Sequence, residues 1–131
     1  MEFFHGPRVQ SPKQQAQGEL SLGVAEYFSK NYPSAIQHFE KAISISPKSS
    51  EAYRYLGQIE GDLGNFKKAI GHFDKAVEAD PDNGLAYIGR GNAKTLAKLP
   101  GGSDDLETGA RILDRKKKGG EIFLVPEAEK K

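Results

Sequence analysis

The 131-residue sequence contains no cysteine and no tryptophan, and it has a single methionine. The lack of cysteine excludes disulfide bridges, thiolate metal ligands and cysteine nucleophiles, and it leaves the redox compartment open. No stretch approaches the ~20 apolar residues of a membrane span, and the opening MEFFHGPRVQSP lacks the basic start and apolar core of a signal peptide. These features predict a cytoplasmic protein.

An excess of charge of either sign is also missing. Nineteen basic residues face 18 acidic ones, so the formal net charge is +1. Without a clustered basic surface, the chain has no general attraction to nucleic acid or to anionic lipid, and neither is predicted as its partner. Its 37% apolar and 28% charged residues are typical of one globular domain.

Residues 50–81 hold two helical patterns joined by a tight turn. Apolar and aromatic residues recur at helical spacing in both halves. Gly64-Asn65 can adopt the left-handed conformation that ends the first helix, and Pro81 ends the second. Gly57 lies where a side chain would hold a packing helix away. The stretch therefore predicts a helical hairpin.

The same residues recur at an offset of 34. The repeated positions pair Leu22 with Leu56, Gly23 with Gly57, Tyr32 with Phe66, Ala35 with Ala69, Phe39 with Phe73, Ala42 with Ala76, Pro47 with Pro81, and, going forward, Tyr53 with Tyr87, Gly57 with Gly91 and Ala76 with Ala110. A fixed period near 34 indicates an array of helical hairpins that bury one continuous core.

The pattern resembles the tetratricopeptide repeats. That family's motif has a large residue, Leu-Gly, an aromatic, Ala, a second aromatic, Ala and Pro; residues 50–81 supply every position, and residues 16–47 supply all but the first, where Glu19 stands. The resemblance covers about three quarters of the chain. It implies an all-α fold, an α-solenoid of about three antiparallel hairpins in a right-handed superhelix, that binds other proteins.

The sequence divides into five segments. Residues 1–15 are predicted as a flexible lead, residues 16–49, 50–83 and 84–118 as three repeats, and residues 119–131 as a tail. The third repeat is degenerate and is expected to end in a capping helix over residues 103–117, with Leu106, Ala110 and Leu113 as its apolar stripe. A two-residue insertion before this helix would align Leu106 with Ile70.

Apolar residues near the two termini leave alternatives open. Phe3 and Phe4 are either unpartnered or dock on the array or a neighbouring molecule. The run from Ile122 to Val125 either packs back on the array or is offered to another molecule, because four consecutive exposed apolar residues are unusual.

No catalytic arrangement is predicted. His38 and His72 are one repeat apart, but metal sites usually need three or four protein ligands, so two solvated histidines are the favoured interpretation. The glycine-rich segments lack the phosphate-binding pattern that ends in Gly-Lys-Ser/Thr. The sequence therefore predicts a protein that is not an enzyme and that has no cofactor and no metal.

The resemblance also implies a binding site, since the first helix of each repeat lines the concave groove in this family. The corresponding residues are Leu20, Val24, Tyr27, Arg54, Gln58, Asp62, Ile88, Asn92 and Leu96. A peptide or helix of a partner protein is expected to bind there, and the chain would then serve as a scaffold or assembly factor. Arg54 is the one cation among the nine.

One subgroup of the family grips the C-terminal carboxylate of heat-shock chaperones with Lys, Asn and Arg. The positions matched to this clamp are Leu20, Val24, Gln58, Ile88 and Asn92. They carry no cation, so a chaperone C-terminus is not the expected partner.

Three other functions are weighed against partner binding. The chain could self-associate through its groove and tail as a structural adaptor. It could carry an unrecognised enzymatic or nucleotide site, or bind RNA as related helical repeats do. The near-neutral charge opposes RNA binding, and no residue pattern supports the enzymatic site.

Overall fold

The computed structural model describes residues 9–121, and the positions near both termini that were singled out above, Phe3, Phe4 and residues 122–125, lie outside this range. Six α-helices make up the described part of the chain, and no strand occurs within it. They are α1 Pro12–Phe28, α2 Tyr32–Ile45, α3 Ser50–Asp62, α4 Phe66–Ala79, α5 Gly84–Leu96 and α6 Gly102–Glu121. The predicted all-α class is confirmed. None of these helices is long and apolar enough to cross a membrane.

The first helix begins earlier than the predicted lead of residues 1–15 allows. Ser11 caps α1, accepting a hydrogen bond from the Gln14 backbone N–H at 3.1 Å, while the Gln14 side chain accepts one from the Ser11 N–H at 2.9 Å. Pro12 occupies the first turn, where its missing N–H costs nothing. This reciprocal capping box satisfies two otherwise unpaired donors, and it explains why the helix starts at Pro12.

The helices form successive hairpins, and contacts stay local. Within residues 9–121, each helix contacts only helices one or two places away in the chain. Such neighbour-only packing is the mark of a solenoid, as opposed to a globular core that gathers distant elements.

The core consists of two clusters related by the 34-residue offset. The first joins Ala35, Phe39 and Ala42 of α2 to Ala52, Leu56 and Ile59 of α3. The second joins Ala69, Phe73 and Ala76 of α4 to Ala86 and Ala93 of α5. Every member of the second cluster lies 34 residues after a member of the first, so the sequence period is a period of packing.

Glycines on the first helix of a hairpin receive the aromatic ring of the second. A Cβ at Gly23 would lie 2.6 Å from the Phe39 ring, and a Cβ at Gly57 would lie 2.9 Å from the Phe73 ring. Both distances are too short for any side chain. The prediction that Gly57 permits close helix packing is confirmed.

The last hairpin, α5–α6, replaces this aromatic contact with backbone contacts between glycines. A Cβ at Gly91 would lie 2.7 Å from the Gly102 carbonyl oxygen, and a Cβ at Gly109 would lie 2.7 Å from the Gly84 carbonyl oxygen. The two helices can therefore approach more closely than ridge-and-groove packing of larger side chains would permit.

The predicted apolar stripe of α6 is partly wrong. Ala110 is exposed and Leu113 is 37% exposed, whereas Asp105, Gly109 and Ile112 are buried. The buried positions follow Ala69, Phe73 and Ala76 at an offset of 36, the register of a two-residue insertion. The match of Ala110 to Ala76 at an offset of 34 is thus a coincidence of residue type.

A buried carboxylate occupies the position of Ala69 in this shifted register. Asp105 accepts two hydrogen bonds from the Arg90 guanidinium, at 2.9 and 2.8 Å, and its Oδ2 lies 2.8 Å from Lys94 Nζ. Burial alone would raise the pKa of Asp105, but these two cations outweigh it and lower the pKa. The ion pairs hold α6 against α5.

Candidate functional site: a cavity between α3 and α5

Four of the nine predicted groove residues line one cavity of about 360 Å³ between α3 and α5, above α4. They are Gln58, Asp62, Asn92 and Leu96. The full lining comprises Gly57, Gln58, Gly61, Asp62, Phe66, Phe73, Gly89, Asn92, Ala93, Thr95 and Leu96.

The cavity opens where the third repeat departs from the second. At the preceding interface, the Tyr55 ring stacks on Phe39 with centroids 5.2 Å apart and an interplanar angle of 6°. One repeat later Phe73 takes the place of Phe39, but Gly89 takes the place of Tyr55 and supplies no ring. A Cβ at Gly89 would lie 2.4 Å from the Phe73 ring. Glycine is therefore required here, and the space beyond it stays open.

The remaining walls of the cavity contain the apolar side chains of Phe66 and Leu96, and Gly61, beside which there is free space. Leu96 is 61% exposed and Phe66 is half-buried, so both present apolar surface to the cavity. A Cβ at Gly61 would meet no atom within 4 Å. An apolar side chain of moderate size could enter this space without displacing protein atoms.

Asp62 is the one ionisable residue in the cavity lining, and it is anchored. Its carboxylate accepts hydrogen bonds from the Tyr32 hydroxyl at 2.9 Å, the Gln58 amide at 3.1 Å and the Tyr27 hydroxyl at 3.3 Å. Burial and the nearby Asp62 charge together raise the pKa of Tyr27 to about 12, so this phenol remains a neutral donor at physiological pH. The rim of the cavity is accordingly polar and anionic.

Arg54 offers no free charge to a ligand. Its guanidinium donates two hydrogen bonds to Glu51, at 2.9 and 3.0 Å, and lies 4.4 Å from the centroid of the Tyr55 ring. The hydrogen bonds from Arg54 lower the pKa of Glu51, which keeps the pair ionised. The one cation among the predicted groove residues is thus already neutralised within α3.

The other predicted residues lie apart from the cavity. Leu20, Val24 and Tyr27 are half-buried and pack against the first core cluster. Tyr27 still reaches the cavity through its hydrogen bond to Asp62. Ile88 faces α6 instead, because its Cδ1 lies 2.9 Å from the position that a Cβ on Gly109 would occupy.

The two histidines are less solvated than predicted, since both are half-buried. His38 Nδ1 lies 2.8 Å from Glu19 Oε1, and burial lowers the pKa of His72. Among the residues described, no group of three or more His, Cys, Asp or Glu side chains is placed to hold a metal ion.

Sequence reasoning missed the glycine and aromatic members of the cavity. The family's exposed positions are side chains on one helix face. Gly61 and Gly89 instead shape the cavity because they have no side chain, and Phe73 contributes to the cavity from α4. One signal was available: Gly89 breaks the repeat at the place where Tyr55 stands.

Comparison with known proteins places the chain among helical repeats. A family model described as tetratricopeptide repeat matches residues 20–84 and 56–93, together more than half of the chain. No curated protein sequence matches.

Three solved structures illustrate the shared fold at 20–24% sequence identity. The second TPR of Spaghetti (RPAP3), solved with the HSP90 peptide SRMEEVD, is 24% identical with a TM-score of 0.72, the match covering 76% of this chain and 88% of that one. The TPR2B domain of yeast Sti1, in a complex with pHsp70, is 20% identical with a TM-score of 0.75, covering 83% and 88%. An O-GlcNAc transferase mutant from Thermobaculum terrenum is 20% identical with a TM-score of 0.72, covering 80% of this chain but only 20% of that one.

Proposed function

Because the chain belongs to the tetratricopeptide repeat family, a family of protein-interaction modules, we propose that it binds a segment of a partner protein with the cavity between α3 and α5 as the anchoring site. The protein would act as a cytoplasmic scaffold or assembly factor without catalysis of its own. The observation that carries the proposal is the cavity itself, which joins exposed apolar walls to a polar rim in the middle of the array.

The chemistry of the lining favours one class of segment. An apolar side chain can enter beside Phe66 and Leu96, and the amides of Gln58 and Asn92 can hydrogen-bond the backbone of the segment. An acidic terminus would instead meet the carboxylate of Asp62 without a compensating cation, and desolvating it there would be unfavourable. We therefore expect a neutral or basic segment with an apolar anchor.

A matched pair of glycine substitutions tests this proposal. Gly61 and Gly71 are both helical, and an added Cβ meets no atom within 4 Å at either. Only Gly61 lines the cavity. Replacing either helical glycine with leucine also raises helix propensity, so loss of folding is not expected.

Peptides selected from a random displayed library on the wild-type chain serve as the probe. We expect Gly61→Leu to weaken their binding at least tenfold and Gly71→Leu to leave it unchanged, with the selected peptides sharing an apolar residue. Equal binding by the two variants would contradict the proposal, and so would tight binding of the acidic peptide SRMEEVD by the wild-type chain.

Self-association through the groove and tail is the alternative function. It requires residues 119–131 to reach the cavity, and residues 122–131 lie outside the described range. If it operates, a synthetic peptide of residues 119–131 will compete with the library peptides for the wild-type chain.

A further inference from the structure

We propose that the outer face of α1 is the interface of a two-fold symmetric dimer of this chain. We define the α1 outer face as Gly18, Ser21, Leu22, Ala25 and Phe28. All five are exposed: Leu22 by 51% and Phe28 by 70%. This surface is separate from the cavity, so the inference is independent of the proposed function.

The repeat itself indicates that this face is built for packing. Residues 34 positions after Gly18, Leu22 and Ala25 are Ala52, Leu56 and Ile59, which are 0%, 5% and 0% exposed in the first core cluster. In α3 these side chains are covered by α2. In α1 the equivalent positions keep small and apolar residues, although no preceding helix of the described chain covers them.

The charge distribution distinguishes this end of the array from the other. The charged residues of α1 are Lys13, Glu19 and Glu26, and none belongs to the outer face. Glu19 instead pairs with His38 of α2 at 2.8 Å. Two copies can therefore bring their α1 outer faces together without burying a charge.

The opposite end of the array is unsuitable as the partner surface. The exposed side of α6 carries charges of both signs, including the ion pairs Glu107–Arg111 at 3.4 Å and Asp114–Lys118 at 3.2 Å. Stacking α1 of one copy on α6 of another would desolvate these groups against an uncharged face, which is costly. A head-to-tail chain of copies is thus disfavoured, and a closed dimer through like faces is favoured.

The spacing on α1 also suits contact with itself. Gly18, Ser21, Leu22 and Ala25 follow the i, i+3, i+4, i+7 pattern of the hole that receives a side chain in knobs-into-holes packing. When two α1 helices run antiparallel about a two-fold axis near Leu22, each Leu22 enters the hole of its partner. One helix face is small compared with the ~800 Å² per partner of a standard interface, so we expect a reversible dimer.

Sedimentation equilibrium of the full chain over a range from micromolar to millimolar concentration tests the proposal. We expect the average mass to rise from monomer towards dimer. Leu22→Glu and Leu22→Lys should each remain monomeric, while an equimolar mixture of the two should dimerise again, because residue 22 meets its own copy across the axis. Leu63→Glu, at a leucine that is 53% exposed directly after α3, should dimerise as the wild type does.

Several outcomes would overturn it. A wild-type monomer at every concentration, a dimer that persists in both single variants, or a mixture that fails to recover would each contradict a two-fold contact at Leu22. A monomeric wild type that dimerises once Phe3 and Phe4 are changed to serine would show that residues 1–8 cover this face instead. Far-UV circular dichroism should match for the wild type and the Leu22 and Leu63 variants, since these two side chains are half-exposed.

Discussion

The turn within each of the three hairpins, α1–α2, α3–α4 and α5–α6, has a residue with left-handed backbone geometry at the same position of the repeat. Gly64 has φ of 84°, and the residues 34 positions before and after it, Lys30 and Lys98, have φ of 63° and 61°. A non-glycine residue in this region stores about 1–3 kcal/mol of strain. The turn geometry repeats although the residue type does not, so only the middle turn uses the residue best suited to it.

Lys30→Gly and Lys98→Gly are therefore expected to stabilise the protein, each by roughly 0.5–1 kcal/mol, because glycine relieves the strain at some entropic cost in the unfolded chain. Chemical denaturation measures the change. Lys75→Gly is the control: Lys75 lies inside α4, where glycine should destabilise by roughly 0.5–1 kcal/mol. If all three substitutions destabilise alike, the turns are not strained.

At the scale of the element, α6 shows how far the repeat pattern extends. The sequence pattern predicts a capping helix and allows a two-residue insertion, and the burial of Asp105, Gly109 and Ile112 follows that insertion. The pattern does not predict that two glycine pairs join α5 to α6, because the preceding hairpins use glycine–phenylalanine contacts at this interface and have no such contact between two backbones. The apparent match at Ala110 is misleading for a different reason: alanine is common on both the buried and the exposed side of a helix.

Leucine substitutions test whether α6 follows the earlier repeats at an offset of 34 or of 36 residues. Ala76 is fully buried, so Ala76→Leu should overpack the second core cluster and cost about 1–3 kcal/mol in unfolding free energy. Ala110→Leu should change stability by no more than about 0.5 kcal/mol, since Ala110 is exposed. Comparable destabilisation by both in thermal or chemical unfolding would restore the uninterrupted 34-residue register.

The candidate site was likewise only partly predictable from the repeat pattern. The family's exposed positions led to Gln58, Asp62, Asn92 and Leu96, which the structure brings together. They did not reveal that Leu20 and Val24 rest on the core, because the burial of a side chain depends on the curvature between hairpins, which the sequence pattern leaves undetermined.

At the scale of the whole molecule, the array has two unlike ends and a cavity between them. The 34-residue period generates the contacts between neighbouring helices. Surfaces that differ between repeats arise where the period is broken. The cavity is an example, because Gly89 stands where the preceding repeat has Tyr55. The residues that repeat therefore determine the architecture, and the proposed partner binding depends on residues that differ between repeats.

The most direct test of this assignment is a ¹⁵N-NMR titration of the wild-type chain with a library-selected peptide. If the peptide binds in the cavity, the largest amide shift changes will fall on Gln58, Gly61, Asp62, Asn92 and Leu96, on α3 and α5. Changes centred on α6 or on the α1 outer face, with the cavity residues unaffected, would contradict it.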